Sequence, residues 1–182
     1  IGCYTLGFAP PLNCMDVCIC MGGGFSAGMG MAKSFEREGV TDKVVFGVVG
    51  DSTFFHSGMT GAAEILYNGG NMIPCVLDNR ITGMTGHQEN PGTGYTLMGK
   101  EAPMLNIEKI FEAYGYAPVF TVDPQDLKAM KATVDAIKAA NLDCKVIIGG
   151  APVSAEACVH IGADEWAHSP QKTVATCRSW AE

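Results

Sequence analysis

Apolar and polar positions alternate along this chain in blocks that read as strands and helices in turn. Two short apolar runs stand out, Val44-Val45-Phe46-Gly47-Val48-Val49 and Ile73-Pro74-Cys75-Val76-Leu77. Both are strand-length and β-branched, as buried parallel strands are. Between them, Ser57 to Tyr67 carries apolar residues at helical spacing and predicts the crossover helix. A strand–helix–strand unit of this size is parallel and right-handed. Upstream, Phe25 to Glu38 predicts a helix packed through small residues and stopped by Gly39. Downstream, Leu105 to Tyr114 predicts a short helix, and Ala117 to Val122 a strand. Leu127 to Ala140 predicts an amphipathic helix with Leu127, Met130, Val134 and Ile137 on one face. Lys145 to Ile148 reads as a further strand ending at Gly149-Gly150, before helices at Ser154 to Ile161 and Pro170 to Trp180. The alternation predicts an α/β fold, a parallel sheet with helices on both faces. The expected division is a main domain over residues 1–151 and a helical extension over 152–182.

Two stretches fit neither period. Residues 1–24 are loop-rich, with Pro10-Pro11 and Gly22-Gly23-Gly24, and such glycines let backbone amides approach a phosphate or a ring. Ile81 to Lys100 is glycine-rich and aperiodic, and a loop of that length in a compact domain is usually functional.

Composition narrows the function classes. Charged residues make up 17% of the 182-residue chain, below the ~25% of ordinary domains, which predicts surface covered by partners. A net charge of −7 without a basic cluster argues against nucleic-acid binding. No apolar run approaches the ~20 residues of a membrane helix, and no signal peptide opens the chain. The opening at Ile1, without methionine, is expected of an internal boundary. Eight cysteines, at 3, 14, 18, 20, 75, 144, 158 and 177, form no disulfide framework and predict a reducing cytoplasm. Cys75 and Cys144 sit in strand-like runs, as buried thiols do. Cys14-x3-Cys18-x-Cys20 fits neither zinc nor bacterial ferredoxin spacing.

Candidate chemistry gathers where the two principal strands end. Val49-Gly50-Asp51-Ser52 follows the first and Val76-Leu77-Asp78-Asn79-Arg80 the second. Parallel pairing would set the oxygens of Asp51 and Asn79 side by side at the carboxyl edge, where open α/β sheets hold ligands. Asp51, Asn79 and the Ile81 carbonyl, with two diphosphate oxygens and a water, would complete a magnesium octahedron. Asp78 would be an oriented neighbour. The plainer reading is that Asp51 and Asn79 cap helices.

Four segments in this order carry a family resemblance: Ile1 to Gly7, Cys18 to Gly22, Gly50 to Gly58 and Leu77 to Gln88. Together they resemble the thiamine-diphosphate-binding domain of the indolepyruvate:ferredoxin oxidoreductase alpha subunit, one of the 2-oxoacid:ferredoxin oxidoreductases. The likeness covers about residues 1–125. It implies thiamine diphosphate and Mg2+ as cofactors, and oxidative decarboxylation of a 2-oxoacid, an arylpyruvate such as indolepyruvate, to an acyl-CoA. Coenzyme A and ferredoxin would be partners, with iron–sulfur clusters elsewhere in the complex. By motif position, Gly50, Asp51, Ser52, Asn79 and Ile81 would serve the diphosphate and magnesium. Cys3, Cys20, Met21 and Gly22 would lie near the cofactor rings, and Thr82, Thr85, Gly86, His87 and Gln88 would line the loop above. His87 would move a proton or bind an acidic substrate, its alternative being a loop histidine bonded to carbonyls. Cys3 would touch the cofactor without acting as a nucleophile.

Departures from that family are plain. Its alpha subunit is several times longer, with a second thiamine-like domain carrying the glutamate that activates the aminopyrimidine, and a ferredoxin-like domain. The missing parts are expected from other domains or subunits. The tail, through Met130 to Thr133, Val146 to Ser154 and Ile161 to Asp164, resembles the end of a corrinoid-binding domain, so a corrinoid-carrier module is one alternative. The Asp-x-His-x-x-Gly segment of that fold is absent, since histidines stand only at 56, 87, 160 and 168. A Gly-Asp-Ser hydrolase using Ser52 is another, but its Asp-x-x-His partner is missing: Asp164 and His168 are one residue too far apart.

Overall fold

A computed structural model describes residues 1–123, 125–139, 147–149, 159 and 165–167. The chain divides into two units. One holds Ile1–Leu6 and Val17–Val119, the other Gly7–Asp16 and Phe120–Glu182. The division expected at 151 falls outside the described residues.

The first unit is built on β1 (Phe46–Gly50) and β2 (Ile73–Leu77), paired in parallel with Phe46 opposite Ile73 and Gly50 opposite Leu77. β2 matches its expected bounds; β1 starts two residues late and runs on through Gly50. α1 (Gly23–Glu38) packs against β1 and ends where expected, with Gly39 and Val40 amides bonded back to Glu36 and Phe35 carbonyls.

The crossover differs from expectation. Helix begins immediately after β1, as α2 (Asp51–Thr53), passes through a π-turn (Phe54–Gly58) and continues as α3 (Met59–Tyr67). An acid at the first position suits a helix amino terminus. The Ser-Thr-Phe-Phe run has weak helix propensity, which hid this start from the sequence pattern. The wide turn aims Phe54 inward.

Phe54 is fully buried and completes an aromatic cluster. Its ring stacks on Phe111 of α4 (Ile107–Tyr114) at 5.2 Å and meets Phe25 edge-on at 6.5 Å, while Tyr116 meets Phe111 at 5.0 Å. Asn106 caps α4 through its side-chain oxygen on the Lys109 amide at 2.9 Å. On the opposite face of the β1–β2 ladder, Phe46 is 60% exposed, with Ile73 and Leu77 exposed beside it and Val48 and Cys75 half-buried between them.

Tyr116 closes the cluster, its hydroxyl donating to the Ala62 carbonyl at 2.6 Å, and burial pushes its pKa up to about 12. An unfolded phenol titrates near ~10, so the fold favours the neutral form. This contribution is whole below about pH 10 and is lost as pH rises towards 12. Urea midpoints should therefore fall between those values, and Tyr116→Phe should flatten the fall.

Residues 117–122 form no strand: Pro118 has no N–H to give a ladder. In the second unit, α5 (Leu127–Ala139) is capped by Asp126, which accepts from the Lys128 and Ala129 amides at 2.9 and 3.1 Å. β3 (Ile147–Gly149) pairs in parallel with β4 (Glu165–Ala167), a strand the sequence pattern did not suggest. The helices expected at 154–161 and 170–180 lie outside the described residues, apart from Val159. The fold class is α/β with parallel strands, as expected. No described helix is long and apolar enough to cross a membrane.

Candidate functional site

The β1–β2 register builds the site. With Gly50 opposite Leu77, Asp51 leaves one strand as Asp78 and Asn79 leave its neighbour. Asp51 is only 3% exposed. Its Oδ2 accepts from Asn90 Nδ2 at 2.9 Å, and its Oδ1 has no hydrogen-bond partner among the described residues. A buried carboxylate with one oxygen committed and one spare is a natural cation ligand.

Asn79 and Asp78 shape the second lip. Asn79 Oδ1 accepts from the Ile81 amide at 3.1 Å, and Asp78 Oδ1 accepts from the Arg80 amide at 2.9 Å. These successive turns hold Arg80 at a φ of 54° and free the Ile81 carbonyl, which accepts no hydrogen bond among the described residues. An amide oxygen has two lone pairs, so Asn79 retains one. No three His, Cys, Asp or Glu side chains converge into a metal-holding group among the described residues. A cation at Asp51, Asn79 and Ile81 would draw its other ligands from a bound diphosphate and water, and the donor set suits a hard cation such as Mg2+.

The two lips are tied together. Thr82 Oγ1 donates to Ser52 Oγ at 2.8 Å, bridging the segment after β2 to the helix start after β1. Thr82 and Gln88 then exchange backbone hydrogen bonds at 3.0 and 3.3 Å, closing a small loop. Inside it Thr85 bonds Gln88 Oε1, and Gln88 Nε2 donates to the Thr85 carbonyl at 2.6 Å. Gly86 and His87 both take positive φ, and His87 is exposed. Cys3 abuts this loop: a Cβ on Gly83 would lie 3.2 Å from Cys3 Sγ.

The glycine-rich turn sits on the other side. Gly22 precedes α1 at φ 83°, and a Cβ there would strike Ser57 Oγ at 2.1 Å. Cys20 and Met21 are exposed on the same turn. Gly24 rests on β1, where a Cβ would lie 2.5 Å from the Val48 carbonyl oxygen. Among the expected residues, a hydrogen bond joins Ser52 to Thr82, and close approach at a glycine places Cys3 by Gly83 and Gly22 by Ser57 of the crossover.

Two neighbours, Asn90 and Tyr4, escaped the sequence reading, while His56 is a second histidine candidate beside His87 on sequence. Asn90 is buried and bonded to Asp51, inside a segment whose sequence shows only an aperiodic, glycine-rich loop. The Tyr4 hydroxyl donates to the Val48 carbonyl at 3.4 Å, and burial raises its pKa. His56 Nδ1 pairs with Ser57 Oγ at 2.8 Å. Ser52 bonds Thr82 and no histidine, so no general base stands at this serine among the described residues. Asp164 and His168 of the hydrolase reading lie outside them. Cys3, Cys14, Cys18, Cys20 and Cys75 are free thiols, and burial pushes that of Cys75 up, as suits a packing residue.

Parallel strands delivering an acid and an amide to one carboxyl edge, with a helix packed on the first strand, define an α/β domain of the open kind whose ligand sites lie at that edge as a class. The family model for the C-terminal TPP binding domain of thiamine pyrophosphate enzymes matches residues 1–147. The chain belongs to that family. It is 42% identical over 144 residues to indolepyruvate oxidoreductase subunit IorA of Thermococcus kodakarensis, covering 74% of this chain and 22% of that subunit. The same subunit of Pyrococcus horikoshii is 40% identical over 142 residues, with the same coverage of both chains. That of Pyrococcus abyssi is 43% identical over 136 residues, covering 70% and 21%. The chain thus spans about a fifth of the length of these curated relatives. A cobalamin-binding protein from Desulfitobacterium hafniense, 19% identical, aligns over 89% of this chain and 71% of its own. The TM-score of that alignment is 0.33.

Proposed function

We propose that this chain is the thiamine-diphosphate-binding and Mg2+-binding portion of a cytoplasmic 2-oxoacid:ferredoxin oxidoreductase. Its substrate would be an arylpyruvate of the indolepyruvate kind and its product an acyl-CoA. The observation that carries the reading is the register of Gly50 on Leu77, which brings Asp51 and Asn79 to one edge within a thiamine pyrophosphate domain. Relatives named indolepyruvate oxidoreductase subunit IorA support the substrate class. Bound thiamine diphosphate supplies a carbanion centre and an electron sink.

The chain's own residues supply grip and placement. Asp51, Asn79 and the Ile81 carbonyl hold the cation, while Gly50 and Ser52 line the diphosphate. Gly22 and Gly24 let the α1 turn close down without side chains in the way, leaving Cys20 and Met21 beside the rings. Cys3 backs the 82–88 loop, where Thr85 and Gln88 fix the backbone and His87 exchanges a proton at its imidazole with substrate or solvent. Coenzyme A and ferredoxin are the partners, and the iron–sulfur clusters and the activating glutamate come from other domains or subunits.

Titrating thiamine diphosphate with Mg2+ into the protein tests the reading. Asp51→Ala with Asn79→Ala should weaken binding by well over about tenfold, since even an outer-shell partner is worth ~10–100-fold. Undiminished affinity in the double variant would sink it.

A further inference from the structure

Asn90 makes an unusual set of bonds for a residue in an aperiodic loop. It is 6% exposed, and every polar group of its side chain is engaged. Nδ2 donates to Asp51 Oδ2 at 2.9 Å, and Oδ1 accepts from the Gly92 amide at 2.8 Å. Its own carbonyl accepts from the Thr93 amide at 3.0 Å and from Thr93 Oγ1 at 2.9 Å. The chain beyond it folds back, with the Leu105 amide on the Pro91 carbonyl at 2.9 Å and the Ala102 amide on the Gly94 carbonyl at 2.9 Å. Gly92 lies against Phe55 of the π-turn, where a Cβ would meet the ring at 3.0 Å. One buried amide therefore joins the 91–105 loop to the carboxylate at the head of the crossover helix.

We infer that Asn90 is a positioning residue for Asp51 and a latch for the loop. This rests on the proposal that Asp51 holds the cation. By occupying Oδ2, Asn90 fixes the plane of the carboxylate and leaves Oδ1 as the oxygen presented to the metal. A carboxylate held by one directed hydrogen bond loses less freedom on taking a cation than one free to rotate. The same bond runs the other way: loop order at 91–105 depends on an acceptor at position 51.

Two measurements test the two halves separately. Amide hydrogen exchange at Gly92, Thr93 and Leu105 needs no ligand. Asp51→Ala and Asn90→Leu should each speed it by about tenfold or more, because a buried polar partner is lost. Asp51→Asn should leave it near the native rate, since the new amide oxygen still accepts from Asn90. Mn2+ titration by electron paramagnetic resonance, at saturating thiamine diphosphate, reads the cation. Asn90→Leu, with unchanged far-ultraviolet circular dichroism, should weaken Mn2+ by roughly 10–100-fold. Asp51→Asn should weaken Mn2+ while keeping the loop protected, which separates loss of the ligand from loss of the latch. If the leucine variant fails to fold, Asn90→Ser, small and polar, replaces it. Native-like exchange in Asp51→Ala overturns the latch, and native-like Mn2+ affinity in folded Asn90→Leu or Asn90→Ser overturns the positioning role. A native protein that takes up no Mn2+ overturns the cation site itself, while the exchange comparison still decides the latch.

Discussion

Phe54→Ala is expected to remove about 3–5 kcal/mol of stability, the usual cost of emptying a fully buried phenylalanine site. Small domains have only ~5–15 kcal/mol in all. Phe54 has no exposed surface, stacks on Phe111 and meets Phe25 edge-on, so α1 and α4 lose a shared neighbour together. Relaxation cannot fill the space cheaply, because those rings are held by different helices. The ring also stands three positions after Asp51 on the same helical rod. The variant should therefore lose thiamine diphosphate binding at the denaturant concentration where its circular dichroism collapses. Phe54→Leu, which keeps most of the volume, should lose less than half as much. An alanine variant with a urea midpoint near the native one would show that this cluster is not the core.

Gly24→Ala is the second large effect. The new Cβ would lie 2.5 Å from the Val48 carbonyl oxygen and 3.4 Å from its carbon, both backbone atoms of a paired strand. A flexible side chain could turn aside; a strand carbonyl cannot. α1 must lift, at about 1–3 kcal/mol, the range for overpacking. The turn bearing Cys20, Met21 and Gly22 moves with it, so affinity for thiamine diphosphate should fall along with stability. Gly30→Ala provides the contrast on the same helix. A Cβ there meets nothing within 4 Å, so helix propensity alone should add about 0.5–1 kcal/mol. Paired urea melts of the two variants should shift in opposite directions, and shifts of the same sign would refute the close seat of α1 on β1.

What could be read from sequence follows from range. β2 was legible because a β-branched run reports its own burial, and α1 because small residues and a glycine stop mark a packed helix end. The Asp51 and Asn79 lips were legible because each lies at a fixed offset from such a run. The helix start at Asp51 was not, since Thr53, Phe54 and Phe55 argue locally against helix and only tertiary packing of Phe54 overrides them. The strand expected at 117–122 failed for the opposite reason: its apolar pattern was right, but Pro118 withholds a donor. Asn90 was invisible as a site residue because a side-chain bond across 39 positions leaves no periodic trace. The same holds for Thr82 on Ser52 and for Tyr4 on β1. Pairings of this kind belong to the folded molecule, and composition does not encode them.

Those 39 positions also set a clock. Ribosomes add ~5–20 residues each second, so Asn90 leaves the peptidyl-transferase centre roughly 2–8 s after Asp51. For that interval the carboxylate has no Asn90 amide to bond, and β1 behind it has no partner until β2 is made, although the helix carrying it can form in microseconds. Burial of that charge must wait for translation rather than for folding. The Asp51 end of the domain in this sense waits on a single asparagine, the one that bonds its buried carboxylate.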